Sequence, residues 1–365
     1  MTRPVRLVQI GMGNVGREVV RLLMESRERW LHRYGVNVCY AALLDTQGGV
    51  VCPDGIPDRV LRDLVAAKET GQSLAENSVG MRVSPLEALQ RLGPDLGPVV
   101  LVDCAAGGGT YEAIHQTLLS GGSVVLSNKA PLAVDQERYD HLMEAGQSRL
   151  LNEATVGAGL PVLSTLRSLL DSGDEVIEIQ ACASGTLGYI TSELMAGRQY
   201  SEAVSQAREL GYTEPDPRDD LSGLDVARKA LILARTFGRR LEPGEVRVEP
   251  LLPPLDTGLS VQEFMDALPE GDGEFSERVA RAQRSGCSLK YVATIPAEGE
   301  VRVELREAPE RSQVGSLTGP DNIFVFRTRE YREQPLTIIG PGAGPTNTAM
   351  GVLEDVLQSA RQVRV

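Results

Sequence analysis

The sequence predicts an α/β fold in two parts: a doubly wound parallel sheet first, then an α+β part built on an open mixed sheet. Three observations carry the prediction. The chain opens on an apolar run, Val5 to Ile10, that enters a glycine-rich turn and an apolar-periodic helix. Continuous apolar runs then alternate with helical stretches, as expected of parallel strands covered on both faces. Beyond residue 160, further strand-like runs are separated by longer helical and Pro/Gly-rich segments. A length of 365 residues accommodates two or three domains and a sizeable core.

The first turn reads Gly11-Met12-Gly13-Asn14-Val15-Gly16, a G-x-G-x-x-G directly after a strand, and it opens a helix that ends near Trp30 and Tyr34. In a Rossmann-type dinucleotide fold Gly11 permits the tight turn, Gly13 lets a pyrophosphate approach the backbone, and Gly16 brings helix and strand close. The pyrophosphate then sits at the positive end of the helix. The next strand, Val38 to Leu44, ends at Asp45, where such a fold places the acid that bonds the adenosine ribose. The same charge repels a 2′-phosphate, and Thr46-Gln47-Gly48-Gly49 supply no cation against it. The expected cofactor is therefore NAD, with NADP used as well if Arg17 turns back toward the ribose.

Val99 to Asp103 is the next buried strand, followed by the small-residue loop Cys104 to Gly109 at its carboxyl end, where ligands bind in such sheets. Ser123 to Leu126 delivers Ser127-Asn128-Lys129-Ala130-Pro131-Leu132-Ala133, which puts Lys129 at the same edge, facing the cofactor crevice. Glu153-Ala154-Thr155-Val156-Gly157-Ala158-Gly159-Leu160-Pro161 then precedes a helix from about Val162 to Asp171. Its two glycines can turn successive carbonyls toward one point and, with Glu153, form an oxygen cage for a hard cation. They suit a hinge between domains equally well.

The densest chemistry lies at 211 to 229, where Glu214, Asp216, Asp219, Asp220, Asp225 and Lys229 crowd around two prolines. Glu214-Pro215-Asp216-Pro217 should be a stiff, non-helical entry, because each proline holds the residue before it extended. Ser222 and Asp225 read as a capping box opening the helix that carries Lys229. Asp225 and Lys229 stand four apart and share one helix face. Acids on a stiff loop beside a lysine suit a small substrate bearing a charged amine and a reacting oxygen.

Strands are expected at Glu175 to Ala181, Leu289 to Ile295, Val301 to Arg306 and Asn322 to Thr328, with 239 to 285, rich in Pro, Gly and Glu, the loosest part. The glycines at 342 and 344 lead into a last helix through Ala349, Val352, Leu353 and Val356, which should return to the first domain and close the crevice. The expected division is a dinucleotide domain, 1–155 completed by 341–365, and a substrate-binding domain, 156–340.

Composition narrows the function. A formal net charge of −13 argues against nucleic acid or anionic membrane as a partner. The sequence has no run of eighteen apolar residues and no cleavable signal, so a cytoplasmic protein is expected. Five scattered cysteines without metal-ligand spacing fit a reducing compartment. His32, His115 and His141 all fall in predicted helices away from the motifs, which leaves proton transfer to lysine.

Taken together, these runs resemble the homoserine dehydrogenases, in the short form without a C-terminal regulatory domain. The resemblance rests on the glycine turn, Ser127-Asn128-Lys129, Glu153 to Pro161, Ser184-Gly185-Thr186-Leu187-Gly188-Tyr189-Ile190, the 211 to 229 run, and Gly340-Pro341-Gly342-Ala343-Gly344 with Thr348-Ala349. It implies that Lys229 and Lys129 act at the reacting oxygen, that Glu214 and Asp225 bind the substrate, and that Gly211, Ala105 and Gly344 contact the cofactor. It also implies a monovalent-cation site, Na+ or K+, from Glu153 and the carbonyls of Val156, Ala158 and Leu160, and a homodimer through the middle domain. Short form in turn implies weak or no inhibition by threonine. Three departures stand out: Gly188 replaces a usual asparagine or serine, Ala105 a frequent threonine, and the residues after Asp45 lack the usual arginine.

The implied reaction is reversible hydride transfer between L-homoserine and L-aspartate 4-semialdehyde, a step of threonine and methionine biosynthesis. No side chain carries a hydride, so a nicotinamide must. Lys229 is the expected proton donor to the developing alkoxide, with Lys129 orienting the carbonyl oxygen. Two rivals remain at this level: a semialdehyde dehydrogenase using Cys104 as nucleophile, and a dinucleotide sensor without turnover.

Overall fold

The computed structural model describes residues 4–93, 99–253 and 258–362. Contacts divide the chain into two units, Met1–Gly159 with Gly344–Val365, and Leu160–Ala343.

The first unit alternates strand and helix: β1 (Val5–Ile10), α1 (Asn14–Tyr34), β2 (Val38–Asp45), β3 (Gly48–Val51), α2 (Asp58–Glu69), α3 (Pro85–Leu92), β4 (Val99–Asp103), α4 (Tyr111–Leu119), β5 (Ser123–Leu126), α5 (Gln136–Gly146) and β6 (Leu150–Leu151). The sheet runs β3-β2-β1-β4-β5-β6. All neighbours are parallel except β2 and β3, which form an antiparallel hairpin. That hairpin was not expected, and two glycines without side chains make room for it. A side chain at Gly49 would lie 1.9 Å from the Leu43 carbonyl oxygen, and one at Gly48 2.2 Å from that of Met81. Register pairs Ile10 with Leu44 and with Asp103, and Asp103 with Leu126. The carboxyl ends of β1, β2, β4 and β5 therefore share one edge; Asp45 ends β2 there, and Gly11, Ala105 and Lys129 follow the other three strands.

In the second unit come α6 (Val162–Asp171), β7 (Val176–Cys182), α7 (Gly185–Met195), α8 (Tyr200–Glu209), α9 (Pro217–Leu221), α10 (Leu224–Thr236), β8 (Arg247–Val248), α11 (Val261–Ala267), α12 (Asp272–Arg284), β9 (Cys287–Pro296), β10 (Arg302–Pro309), β11 (Asn322–Thr328) and β12 (Leu336–Gly340). Their sheet runs β12-β11-β7-β9-β10-β8, antiparallel except for the short β8–β10 pair. Phe324, Phe326, Ile179, Ala181, Ala293 and Ile295 are all buried, and cross-strand register puts them on one face. On the other, Cys182, Val292, Ile323 and Val325 pack with Val314 and Leu317 of the loop after β10.

Two expectations fail here. Residues 239 to 285 are not loose: Ser260 and Glu263 form a capping box on α11, α12 follows, and Phe264, Leu268 and Phe275 are buried. The Phe275 ring stacks on Tyr200 at 4.1 Å, and the Tyr200 hydroxyl donates to the Leu251 carbonyl. Part of that stretch, 254–257, lies outside the described residues. Nor do Ser222 and Asp225 form a capping box. Pro217 instead opens the short α9, Ser222 closes it, and Gly223 in the left-handed region (φ 72°) starts α10 with no side-chain cap.

The last helix, α13 (Pro345–Gln362), returns to the first unit and packs along α1. Val352 and Val356 join Val19, Val20 and Leu23 in its core. Each such side chain contributes about 1.5–3 kcal/mol by leaving water. No helix among the described residues is long and apolar enough to cross a membrane.

Candidate active site

At the edge of the first sheet, Gly11 (φ 95°) turns the chain, and a side chain there would meet Cys104 backbone at 2.5 Å. One at Gly16 would lie 2.0 Å from the Gly11 carbonyl oxygen, whereas Gly13 is open. Helix α1 starts without a side-chain cap. The N–H groups of its first turn, at Asn14, Val15 and Gly16, have no intrahelical acceptor and point out of the helix end. This is the cradle a pyrophosphate requires. Met12 turns its side chain into the core. Arg17 folds back on Asn14, its guanidinium 2.8 Å from Oδ1. A polar residue inside an apolar strand was the overlooked signal: buried Gln9 donates from Nε2 to the Gly11 and Gly16 carbonyls and accepts the Tyr40 hydroxyl, tying the turn together.

Asp45 is not the uncompensated acid that its local sequence implied. Lys68 of α2 lies 3.0 Å from Oδ2, and the carboxylate also accepts the Leu74 N–H (2.8 Å), the Gln47 N–H (2.9 Å) and the Ser73 hydroxyl (3.4 Å). Its side chain is 6% exposed. Desolvation would raise its pKa, but the Leu74 and Gln47 N–H groups and Lys68 outweigh that and hold it below the usual value. Lys68 was invisible to a reading of the strand end because it arrives from a helix 23 residues later.

A second buried acid was also missed. Asp103 accepts the Ala105 N–H (2.9 Å), the Thr110 hydroxyl (2.6 Å) and the Asn128 carboxamide (3.0 Å). Asn128 donates further to the Gly107 carbonyl and accepts the Ala130 N–H. Asp103 and Asn128 thereby pin the small-residue loop and the Lys129 turn to each other. Lys129 itself is half-buried, one residue before a 3-10 turn, Ala130–Leu132. Burial pushes the Asp103 carboxyl up against those three hydrogen bonds.

Glu153 is buried at the start of another 3-10 turn, and its N–H donates to buried Asp355 of α13 at 2.8 Å. Val156 and Ala158 are buried, and Ala158 takes φ 56°, a left-handed conformation rare for alanine. This turns consecutive carbonyls out of line. Leu160 opens the second unit.

Within the second unit, α10 carries Lys229 inward. It is 9% exposed, and its ammonium donates to the Ala183 carbonyl at 2.6 Å and pairs with Asp225 at 2.8 Å. The acids around it have separate tasks. Asp216 caps α9 and grips Arg218 at 2.7 Å. Asp220 accepts the Glu214 N–H (2.8 Å), and the single Thr186 hydroxyl proton is shared between the Tyr212 carbonyl (2.6 Å) and the Asp220 carboxylate (3.0 Å). Asp220 and Thr186 thus fix the loop that presents Glu214, whose side chain is exposed. Desolvation pushes the Asp220 carboxyl up. Gly211 (φ 72°) and Gly344 (φ 106°) are both exposed turns that a side chain would strain.

The cysteine rival loses its basis here. Burial pushes the Cys104 thiol up to about 12, which leaves almost no thiolate to attack a carbonyl. Among the described residues, no three His, Cys, Asp or Glu side chains are grouped to hold a metal.

The family models agree with this layout. One for homoserine dehydrogenase matches residues 161–357, and one for the homoserine dehydrogenase NAD-binding domain matches 11–150. The chain belongs to the homoserine dehydrogenase family. It is 39% identical over 291 residues to a homoserine dehydrogenase of Emericella nidulans, covering 76% of this chain and 79% of that one. It is 42% identical over 266 residues to a chloroplastic bifunctional aspartokinase/homoserine dehydrogenase of Arabidopsis thaliana. That match takes in 72% of this chain but only 29% of the plant protein. A solved hyperthermophilic archaeal homoserine dehydrogenase mutant in complex with NADPH superposes with a TM-score of 0.75 at 26% identity, covering 98% of this chain and 97% of that one. These relationships bear out the expected fold class and the family.

Proposed function

We propose that this chain interconverts L-homoserine and L-aspartate 4-semialdehyde with a nicotinamide dinucleotide. The observation that carries the proposal is the buried Lys229 ammonium, held between Asp225 and the Ala183 carbonyl. Those partners take two of its three N–H bonds and leave the third for a substrate oxygen. The bound nicotinamide supplies or accepts the hydride. Lys229 gives the developing alkoxide its proton, and Lys129 orients the carbonyl oxygen. Glu214 and Asp225 hold the substrate amine. The glycine turn, Ala105, Gly211 and Gly344 receive the dinucleotide, with Asp45 at the ribose.

Because Lys68 neutralises Asp45, repulsion of a 2′-phosphate is weaker than the strand end alone implies, which favours use of both NAD and NADP. Glu153 with the carbonyls of Val156, Ala158 and Leu160 binds Na+ or K+. The working protein is a homodimer through its second unit. The first unit is the dinucleotide domain and the second the substrate and dimerisation domain. Mixing the protein with homoserine and each oxidised cofactor should raise absorbance at 340 nm. Cofactor binding without any such rise would leave the sensor reading in its place.

A further inference from the structure

Asn322 opens β11 and is 0% exposed, yet neither Oδ1 nor Nδ2 of its carboxamide meets a hydrogen-bond partner among the described residues. Buried side-chain amides are seldom left so. What lies against it is the turn between β12 and α13. Register pairs Asn322 with Gly340, and the chain then curls back over the carboxamide. A side chain at Gly342 would stand 1.9 Å from Nδ2 and 2.2 Å from Cγ. Gly344 has a positive φ, 106°, whereas Gly342 does not, so Gly342 is a glycine for room alone. Asn322 and Gly342 thus form one fitted contact that is sterically complete and electrically unfinished.

We propose that Asn322 is a positioning residue: the Gly340–Gly344 turn seats its backbone on the Asn322 carboxamide when the dinucleotide binds. Pro341 has no N–H, so the groups available to the carboxamide are the Pro341 carbonyl and the N–H and carbonyl of Gly342. A ligand that favours the seated turn makes those hydrogen bonds and draws affinity from them. This rests on the reading above that Gly344 meets the cofactor. Asn322 contacts no reacting atom, and its effect passes through the turn.

Asn322→Leu keeps the branching and the number of side-chain heavy atoms, with slightly bulkier ends, and removes the polar atoms. The free protein should melt at the same temperature or higher, because a buried amide without partners has been replaced by a hydrocarbon. Affinity for NADH or NADPH, followed by fluorescence, should fall roughly tenfold, and KM for the nucleotide should rise more than KM for homoserine. Unchanged nucleotide affinity, or a lower melting temperature with unchanged affinity, overturns the proposal. Should the leucine variant not fold, Gly342→Ala supplies the second test. Its methyl group displaces the turn from Asn322 and should weaken nucleotide binding, and Asn322→Ala should make room and relieve much of that loss. Additive losses in the double variant overturn the coupling. Failure of the wild type to bind either nucleotide would instead strike the functional reading itself.

Discussion

At the scale of single residues, the side chains that matter are those held in place by a specific partner. Lys229 is the clearest case, since Asp225 and the Ala183 carbonyl fix its direction. Lys229→Met should lower kcat by roughly 10²–10⁴-fold, the loss expected for a general acid, while leaving NADH binding near normal. Near-wild-type turnover in that variant would remove Lys229 from the chemistry. Asp45 makes a different prediction. In an unfolded chain its carboxyl titrates near ~3.9; in the fold the Leu74 and Gln47 N–H groups and Lys68 overcome desolvation and hold it lower. The stability this supplies is present in full above the unfolded value and is lost as pH falls through the lower folded one. Asp45→Asn should therefore melt below wild type at pH 7, with the gap closing below about pH 4. Lys68→Met should lower kcat/KM for NADP about tenfold more than for NAD, through the exposed charge of Asp45. Equal losses with both cofactors would confine Lys68 to a structural tie.

Elements show where local sequence signals were overruled. Ser222 and Asp225 have capping-box spacing, but Pro217 starts a helix five residues earlier and Ser222 is used up closing it. Prolines and acids made 239 to 285 look loose, yet Phe264, Leu268 and Phe275 give that stretch a buried face. Spacing of apolar residues decided the outcome, and the intervening polar residues hid it. Helix α13 and the 157–159 segment are legible only in contact. A side chain at Gly351 would lie 2.7 Å from the Ala158 carbonyl oxygen, and one at Gly159 2.6 Å from that of Asn347. Gly351→Ala should accordingly destabilise the protein by about 1–3 kcal/mol, read as a lower denaturant midpoint at unchanged slope. The same contact holds the turn assigned to the cation. Sodium or potassium should raise thermal stability more than a bulky organic cation at equal ionic strength, and Glu153→Ala should abolish the difference. Identical melting curves in all salts for both proteins would return the segment to a plain hinge.

For the whole molecule, the proposal of a homodimer concerns the second unit, where the edge strand β12 leaves Ile339 56% exposed. An apolar side chain on an unpaired edge is a liability that a partner removes. Sedimentation at micromolar concentration should give twice the 39.3 kDa chain mass, with a melting temperature that rises with concentration. A monomer at all concentrations would leave the edge unexplained.

Much of this protein is written in local pattern. Val5 to Ile10 running into Gly11-Met12-Gly13, the apolar strand at Val99 to Asp103, and the helix at Val162 to Asp171 all stand where the sequence places them, because period and turn chemistry act over a few residues. Lys229 beside Asp225 is of the same kind, since four residues on a helix make one face. Other features required the chain to be folded. Lys68 reaches Asp45 from 23 residues away, Asp103 and Asn128 join two loops, Asp220 and Thr186 brace the Glu214 loop, and Gly342 rests on Asn322. Each pairs groups distant in sequence, and nothing in either segment alone records the other. The sequence by itself determined which chemical groups this protein has and where the strands and helices carry them; tertiary structure decided which of those charges are compensated, because compensation depends on neighbours in space.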